Sequence, residues 1–285
     1  MSVITNLFSR TKNFVRPKIN YNFRLKVGQV YFNLPVIAGI GRAHKDRNEP
    51  HLTLVLEKIY TSNLILIDIG VNIGQTLLKW KSIGGSNASY IGFEPNPSCI
   101  FYLAKLVRLN KFKNVSILPF ALGAKTSVGQ LKMTSDDLGL SVDPAASLSS
   151  ELRDDSFYSA YMHVPIICAD IAFEPFNLEN KEYIIKIDVE GFEEQVLKGM
   201  ASLIARDKPI IILEILPPVQ DFSIKVNKYR EDRKSRINQF FLDIGYEMHN
   251  ILSDGNIDGK ASPTSDFICF DESFDKESLF LNNID

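Results

Sequence analysis

Leu64-Ile-Leu-Ile-Asp68-Ile-Gly70-Val-Asn72-Ile-Gly74 is the stretch whose reading decides the fold. Its first half is a short, continuous apolar run rich in isoleucine, the pattern of a strand buried on both faces inside a parallel sheet. Its second half places glycines where a strand must turn sharply into a helix and where a ligand can approach the backbone. The helix beyond offers free N–H groups at its N-terminus, so the unit predicts a nucleotide-like ligand at the strand's C-terminal end. The order is Asp-x-Gly-x-Asn-x-Gly and not Gly-x-Gly-x-x-Gly, which disfavours a pyrophosphate cradle. A carboxylate at Asp68 suits a ligand with an ammonium group, which it attracts, over a phosphate, which it repels.

Working outward, the same alternation recurs. Apolar runs at Tyr90–Phe93, Val115–Phe120, Tyr183–Ile187 and Pro209–Ile215 read as further buried strands. Between and before them lie helical patterns: Leu52, Leu56 and Ile59; Leu77 and Leu78; Ile100, Leu103, Ala104 and Val107; and Val196, Leu197, Met200 and Leu203 within a helix Phe192–Ala205. Strand and helix in turn predict an α/β fold with a mostly parallel sheet. Near the end, a helix through Ile237, Phe240, Phe241 and Ile244 stops at Gly245, and Tyr246–Leu252 and Phe267–Phe270 are expected to pair as an antiparallel hairpin at one sheet edge.

Carboxylates fall at the ends of these strands. Glu94 ends the second run about 20 residues past the glycine turn, where an acid accepts the two hydroxyls of a ribose. With Asp68 it defines an adenosine site. Lys186-Ile-Asp188-Val-Glu190-Gly191 follows the fourth run, and Glu214 closes the fifth. Carboxylates so placed lie over the crevice where open α/β sheets bind ligands, and can bind hydroxyls or take a proton.

The remaining composition excludes several classes. The 285 residues carry 32 Lys plus Arg against 34 Asp plus Glu, a net charge of −2, with 45% hydrophobic residues. That is ample for a core and gives no global reason to expect nucleic acid. Cys99, Cys168 and Cys269 lie far apart without C-x-x-C spacing, and His44, His51, His163 and His249 are scattered, so a zinc site is disfavoured. A divalent cation held by Asp188 and other carboxylates stays open. His51 is near enough to the strand-turn motif to reach the crevice, but a surface or packing role is expected of it. The longest apolar stretch, Leu64–Leu78, contains Asp68, so no transmembrane span is expected.

Residues 1–48 form a basic arm and a small strand-rich extension, with Arg10, Lys12, Arg16, Lys18, Arg24 and Lys26 ahead of the first acid, Asp46. A short helix around Ile4, Leu7 and Phe8, then extended chain over Gln29–Ala38 with a turn at Pro35, is expected, and no secretory signal. Weak membrane contact through the arm is disfavoured because Pro17 interrupts any long helix. Tyr21, Phe23, Tyr31 and Phe32 are expected to pack on the sheet. Ser135–Asp155 reads as a long acidic loop over the site, and Lys225–Arg236 as a solvated helix face.

With these residues set out, a resemblance is specific. Asp68–Gly74, Phe93-Glu94-Pro95, Phe120-Ala121-Leu122-Gly123, Ser147-Leu148 and above all Ile185–Gly199 resemble the FkbM family of S-adenosylmethionine-dependent methyltransferases, over roughly Glu49 to Ile215. Val71 and Met200 stand where that family commonly has alanine. The resemblance implies a Rossmann-like class I methyltransferase fold for residues 49–285, with a seven-stranded, mostly parallel sheet, an antiparallel edge hairpin and helices on both faces. It implies an enzyme that O-methylates a hydroxyl of a sugar, glycan or related metabolite; the unpaired cysteines and the missing signal and span add the expectation of a cytoplasmic one. By the same resemblance Asp68, Gly70, Asn72 and Gly74 would line the methionine half of the cofactor, Glu94 its ribose and Ala121 its adenine, with Asp188 and Glu190 at the methyl group and acceptor; Glu214, at the end of its own strand, is a further candidate to handle the acceptor proton. The alternatives are a nicotinamide-dependent oxidoreductase, which needs the missing pyrophosphate fingerprint, and a non-catalytic binding module on the same fold.

Overall fold

In the computed structural model, residues 20–45, 49–134, 143, 145–219, 222–258 and 265–274 are described. The expected helix around Ile4 and most of the basic arm lie outside them.

The chain opens with a hairpin, β1 (Tyr21–Val27) and β2 (Val30–Val36). Its turn is at Gly28, with φ +57°, and not at Pro35, which instead pairs with Asn22 inside the ladder. Proline is tolerated there because the hairpin is a two-stranded edge with one open side. Then follow α1 (Pro50–Ile59), β3 (Ile65–Ile69), α2 (Gln75–Gly84), β4 (Ser89–Phe93), α3 (Pro97–Asn110) and β5 (Val115–Leu118). A three-stranded sheet comes next, from β6 (Ala121–Gly123), β7 (Ser127–Met133) and β8 (Ala160–Cys168). The chain continues through α4 (Ala169–Phe173), β9 (Tyr183–Ile187), α5 (Glu193–Gly199), α6 (Ala201–Asp207), β10 (Ile210–Glu214) and α7 (Ile224–Asp243). It closes with β11 (Tyr246–Ile251), β12 (Ile257–Asp258) and β13 (Asp266–Asp271).

The main sheet has eight strands, not the expected seven, in the order β12-β11-β13-β10-β9-β3-β4-β5. The run from β10 to β5 is parallel throughout, while β13 is antiparallel to both β10 and β11. The late hairpin does form, but β13 enters between β10 and β11, and the two-residue β12 becomes the edge. The extra strand escapes a pattern reading because two residues carry no period.

Two apolar cores cover the two faces of the sheet. One gathers Leu52, Val55, Leu56, Leu77, Trp80, Tyr102, Leu103 and Leu106 with Phe32 and Leu34 of the opening hairpin. The hairpin is also tied to α3: the Asn33 N–H donates to Asn110 Oδ1 at 2.8 Å and Asn110 Nδ2 returns a bond to the Asn33 carbonyl at 2.8 Å. Packing is thus the fate of Phe32, as expected, whereas Tyr31 stays exposed beneath the Arg24 guanidinium. The other core gathers Ile185, Ile187, Val196, Leu197, Leu203, Ile211, Leu213, Ile237 and Phe241.

Two helical expectations change. The helix expected over Phe192–Ala205 is broken at Met200 into α5 and α6, where Gly199 lies against the Gly123 backbone so closely that no Cβ fits. The face Lys225–Arg236 is not simply solvated: Arg230 and Arg233 are buried. Arg233 Nη1 pairs with Glu193 Oε2 at 2.6 Å, and Arg230 donates to the carbonyls of Leu152 and Pro217. Charge alternation marked the helix; it could not tell which turns faced inward. Among the described residues, no helix is long and apolar enough to cross a membrane.

Candidate active site

The C-terminal ends of β3, β4, β9 and β10 open into one cavity of about 420 Å³, a size ordinary for a small-ligand pocket. Of the residues expected at the site, Gly70, Asn72, Glu94, Ala121, Asp188, Glu190 and Glu214 line it. Asp68 and Gly74 do not. Gly74, at φ +88°, caps α2 and packs against Leu103 and Leu106, where a side chain would strike α3. Gly70, at φ +95°, lies against the Asp188 carbonyl with no room for a Cβ. That contact brings the β3 turn and the β9 end together as two walls of one cleft.

Asp68 is wholly buried within the strand layer, beside Lys186 on β9. The Tyr90 hydroxyl donates to its Oδ2 at 2.5 Å, and its Oδ1 has no hydrogen-bond partner. Burial raises its pKa to about 6, against the pull of Lys186 and Tyr90.

Glu94 is held by main chain alone. Asn72 N–H donates to Oε2 at 2.7 Å and Asn96 N–H to Oε1 at 2.8 Å. Asn72 takes the left-handed conformation, φ 52°, which an asparagine tolerates. Asn96 caps α3 by accepting from Ser98 N–H at 2.9 Å, and its buried Nδ2, on the cavity wall, has no partner. Burial raises Glu94 to about 7, only partly offset by the two N–H groups. A carboxylate with lone pairs to spare and an unpartnered amide, side by side, fit the hydroxyls and ring nitrogens of a nucleoside.

The opposite wall is built differently. Lys186 Nζ lies 2.8 Å from Asp188 Oδ2; burial opposes its charge, but Asp188, Asp68 and Glu49 outweigh that and keep it protonated. Arg153 Nη2 holds Glu190 Oε2 at 2.5 Å, and Ser147 Oγ donates to the Glu190 carbonyl at 2.5 Å. Glu190 itself is in the left-handed region, φ 49°, which these two bonds stabilise. Burial and Asp188 raise it to about 7 against Arg153. Glu214 hydrogen-bonds to Asp188, and that neighbour first, then burial, drives its pKa well up. Like charges so close disfavour ionising both carboxyl groups, which biases the pair toward keeping a proton on Glu214.

Glu49 completes this wall, its Oε2 2.7 Å from the buried Lys79 Nζ. Three lining carboxylates, Glu49, Asp188 and Glu190, are each backed by a buried cation. Glu49, Asn96, Asp143 and Arg153 were not legible as site residues, since each acts through a partner distant in sequence or through its own loop. The expected loop over the site is present in its described part: Asp143, Ala146 and Leu148 line the cavity. Among the described residues, no group of three or more His, Cys, Asp or Glu side chains is arranged to hold a metal ion.

Against known proteins, the family described as the methyltransferase FkbM domain matches residues 68–248. A hexuronic acid methyltransferase, AglP of Haloferax volcanii, is 25% identical over 184 residues, 65% of this chain and 69% of that one. A solved FkbM methyltransferase from Methylobacillus flagellatus KT aligns at 15% identity with a TM-score of 0.45, covering 74% of this chain and 44% of that one. This chain thus spans less than half of that protein. A SAM-dependent methyltransferase from Aquifex aeolicus aligns at 10% identity and a TM-score of 0.41, over 81% and 91% of the two chains.

Proposed function

The chain belongs to the FkbM methyltransferase family, and from that premise we propose that it is an S-adenosylmethionine-dependent O-methyltransferase whose acceptor is a hydroxyl of a sugar or related small metabolite. One observation carries the reading: one cavity joins a wall that fits a nucleoside, Glu94 and Asn96, to a hydrogen-bonded carboxyl pair, Asp188 and Glu214. The 25% identical hexuronic acid methyltransferase supports a carbohydrate acceptor.

When bound, S-adenosylmethionine supplies a methyl group on a cationic sulfur, open to direct displacement. Glu94 and Asn96 would hold its ribose and base, with Ala121 against the adenine and Gly70 and Asn72 along the methionine portion. The acid-rich wall favours a cationic ligand. Methyl transfer needs the attacking oxygen aligned with the bond being broken, so most of the acceleration comes from positioning. A sugar hydroxyl is a weak nucleophile until its proton moves. Asp188 accepts it during attack, with Lys186 keeping that carboxylate charged and Glu214 sharing its proton. Glu190, fixed by Arg153, orients a neighbouring hydroxyl.

Calorimetry with S-adenosylmethionine and with NAD, followed by mass spectrometry of methyl glucoside and methyl glucuronide incubated with the enzyme and S-adenosylmethionine, tests the reading. Cofactor binding and a single added methyl group on either glycoside are expected. Absence of S-adenosylmethionine binding, or tighter NAD binding, would overturn it.

A further inference from the structure

O-methylation releases a proton, and a buried carboxyl pair that takes it up must pass one on before the next turnover. Further polar groups stand between that pair and the surface. Asp266, the first residue of β13, lies directly opposite Glu214 in the antiparallel ladder, so the two side chains share a face of the sheet with Cβ atoms about 4.5–5.5 Å apart. Asp266 Oδ2 is 3.2 Å from His51 Nε2, and Ser265 Oγ donates to the same oxygen at 3.1 Å. His51 and Asp266 have side-chain exposures of 20% and 23%, enough to meet water, whereas Lys186 deeper in has 7%.

We propose that Asp266 and His51 form the exit path by which the proton taken from the acceptor leaves the Asp188–Glu214 pair for solvent. The inference rests on the reading of that pair as the proton acceptor. As the acceptor oxygen bonds to the methyl carbon, the carbon–sulfur bond breaks and its electron pair stays with the departing thioether. The hydroxyl proton enters the carboxyl pair, and one proton moves by way of Asp266 to the His51 imidazole and on to water. The charges facing this path are Glu49 and Lys186 around Asp266, with Lys79 behind Glu49. Asp188, Lys186 and Asp266 surround Glu214. An imidazole carries two ring nitrogens, so it can take up a proton at one and release one from the other.

The test uses the full chain and whichever of methyl glucoside or methyl glucuronide the wild type methylates. His51→Ala and Asp266→Asn should each lower kcat about 10-fold in weak buffer, with S-adenosylmethionine affinity and acceptor KM unchanged. Added imidazole should restore His51→Ala in a saturable way and leave Asp266→Asn slow. The double variant should be no slower than Asp266→Asn alone, since the two act as one unit. A measurement needing no acceptor is the NMR spectrum of the His51 ring, whose resonances should shift in Glu214→Gln as well as in Asp266→Asn. Full turnover in His51→Ala, a loss that imidazole does not restore, or a His51 ring unmoved by Glu214→Gln would overturn the exit path. If Asp188→Asn and Glu214→Gln both kept full turnover, the carboxyl pair itself would be the wrong proton acceptor, and the path would fall with it.

Discussion

The two walls of the cavity hold their carboxylates in opposite ways. Glu94 is fixed by two backbone N–H groups from residues within its own motif or the preceding glycine turn. Glu49, Asp188 and Glu190 are instead each held by a long cationic side chain, and for Glu49 and Glu190 that cation comes from about 30 or more residues away. A wall made by main chain is set as soon as the strands pair. A wall made by ion pairs depends on side chains that a single substitution removes, so its charge state is the more easily tuned.

The largest expected effect falls on the second wall. Asp188→Asn should lower turnover about 10²-fold or more while leaving S-adenosylmethionine affinity nearly intact; loss of affinity with turnover retained would reverse the roles of the walls. On the first wall, Glu94→Ala should weaken cofactor binding by about 1–3 kcal/mol, measured by calorimetry. Because burial raises Glu94 to about 7, affinity should fall as the pH drops from 8 to 6 and the carboxylate loses an acceptor site, and Glu94→Gln should flatten that dependence.

Smaller effects sharpen the contrast. Arg153→Ala removes the cation that opposes protonation of Glu190, so turnover should fall about 10-fold with a pH profile displaced upward, and Arg153→Lys should recover part of it. Unliganded stability should fall between about pH 4 and 7. The folded-state pKa values of Asp68, Glu94 and Glu190 lie above their unfolded values, so each contributes stability at low pH that is lost as pH rises through about 6 to 7. Thermal melts across that range should show a shallower decline in Glu94→Gln. Deleting residues 1–18 should have the smallest effect, leaving S-adenosylmethionine affinity unchanged.

The same contrast explains what a reading of residues alone could reach. Asp68–Gly74 and Glu94 are local: turn, strand end and cavity wall follow from adjacent residues, so their neighbourhood was legible. Even there Asp68 does not line the cavity, because an acid at a strand end gives no sign of whether it faces the crevice or the layer beneath it; its burial against Tyr90 and Lys186 depends on the register of three strands. Glu49, Arg153 and the inward Arg230 and Arg233 were illegible for the same reason at longer range. The eighth strand, β12, is too short for any pattern, whereas β3, β4, β9 and β10 announced themselves as continuous apolar runs. His51 reads as a surface or packing residue, and only the β10–β13 pairing brings Asp266 to where the ring meets it.

The insertion of β13 between β10 and β11 has a consequence for how the protein is made. On the ribosome, β10 and β11 emerge before the strand that must separate them, so an apolar β10 edge waits unpaired while the last residues of the sheet are synthesised. Such an edge is a template for joining another chain, and pairing across so long a sequence separation is slow. Asp266 arrives on that same late strand. Completion of the sheet and assembly of the path from Glu214 to His51 are therefore one event, and a nascent chain that has not closed its sheet has not yet acquired its outlet for protons.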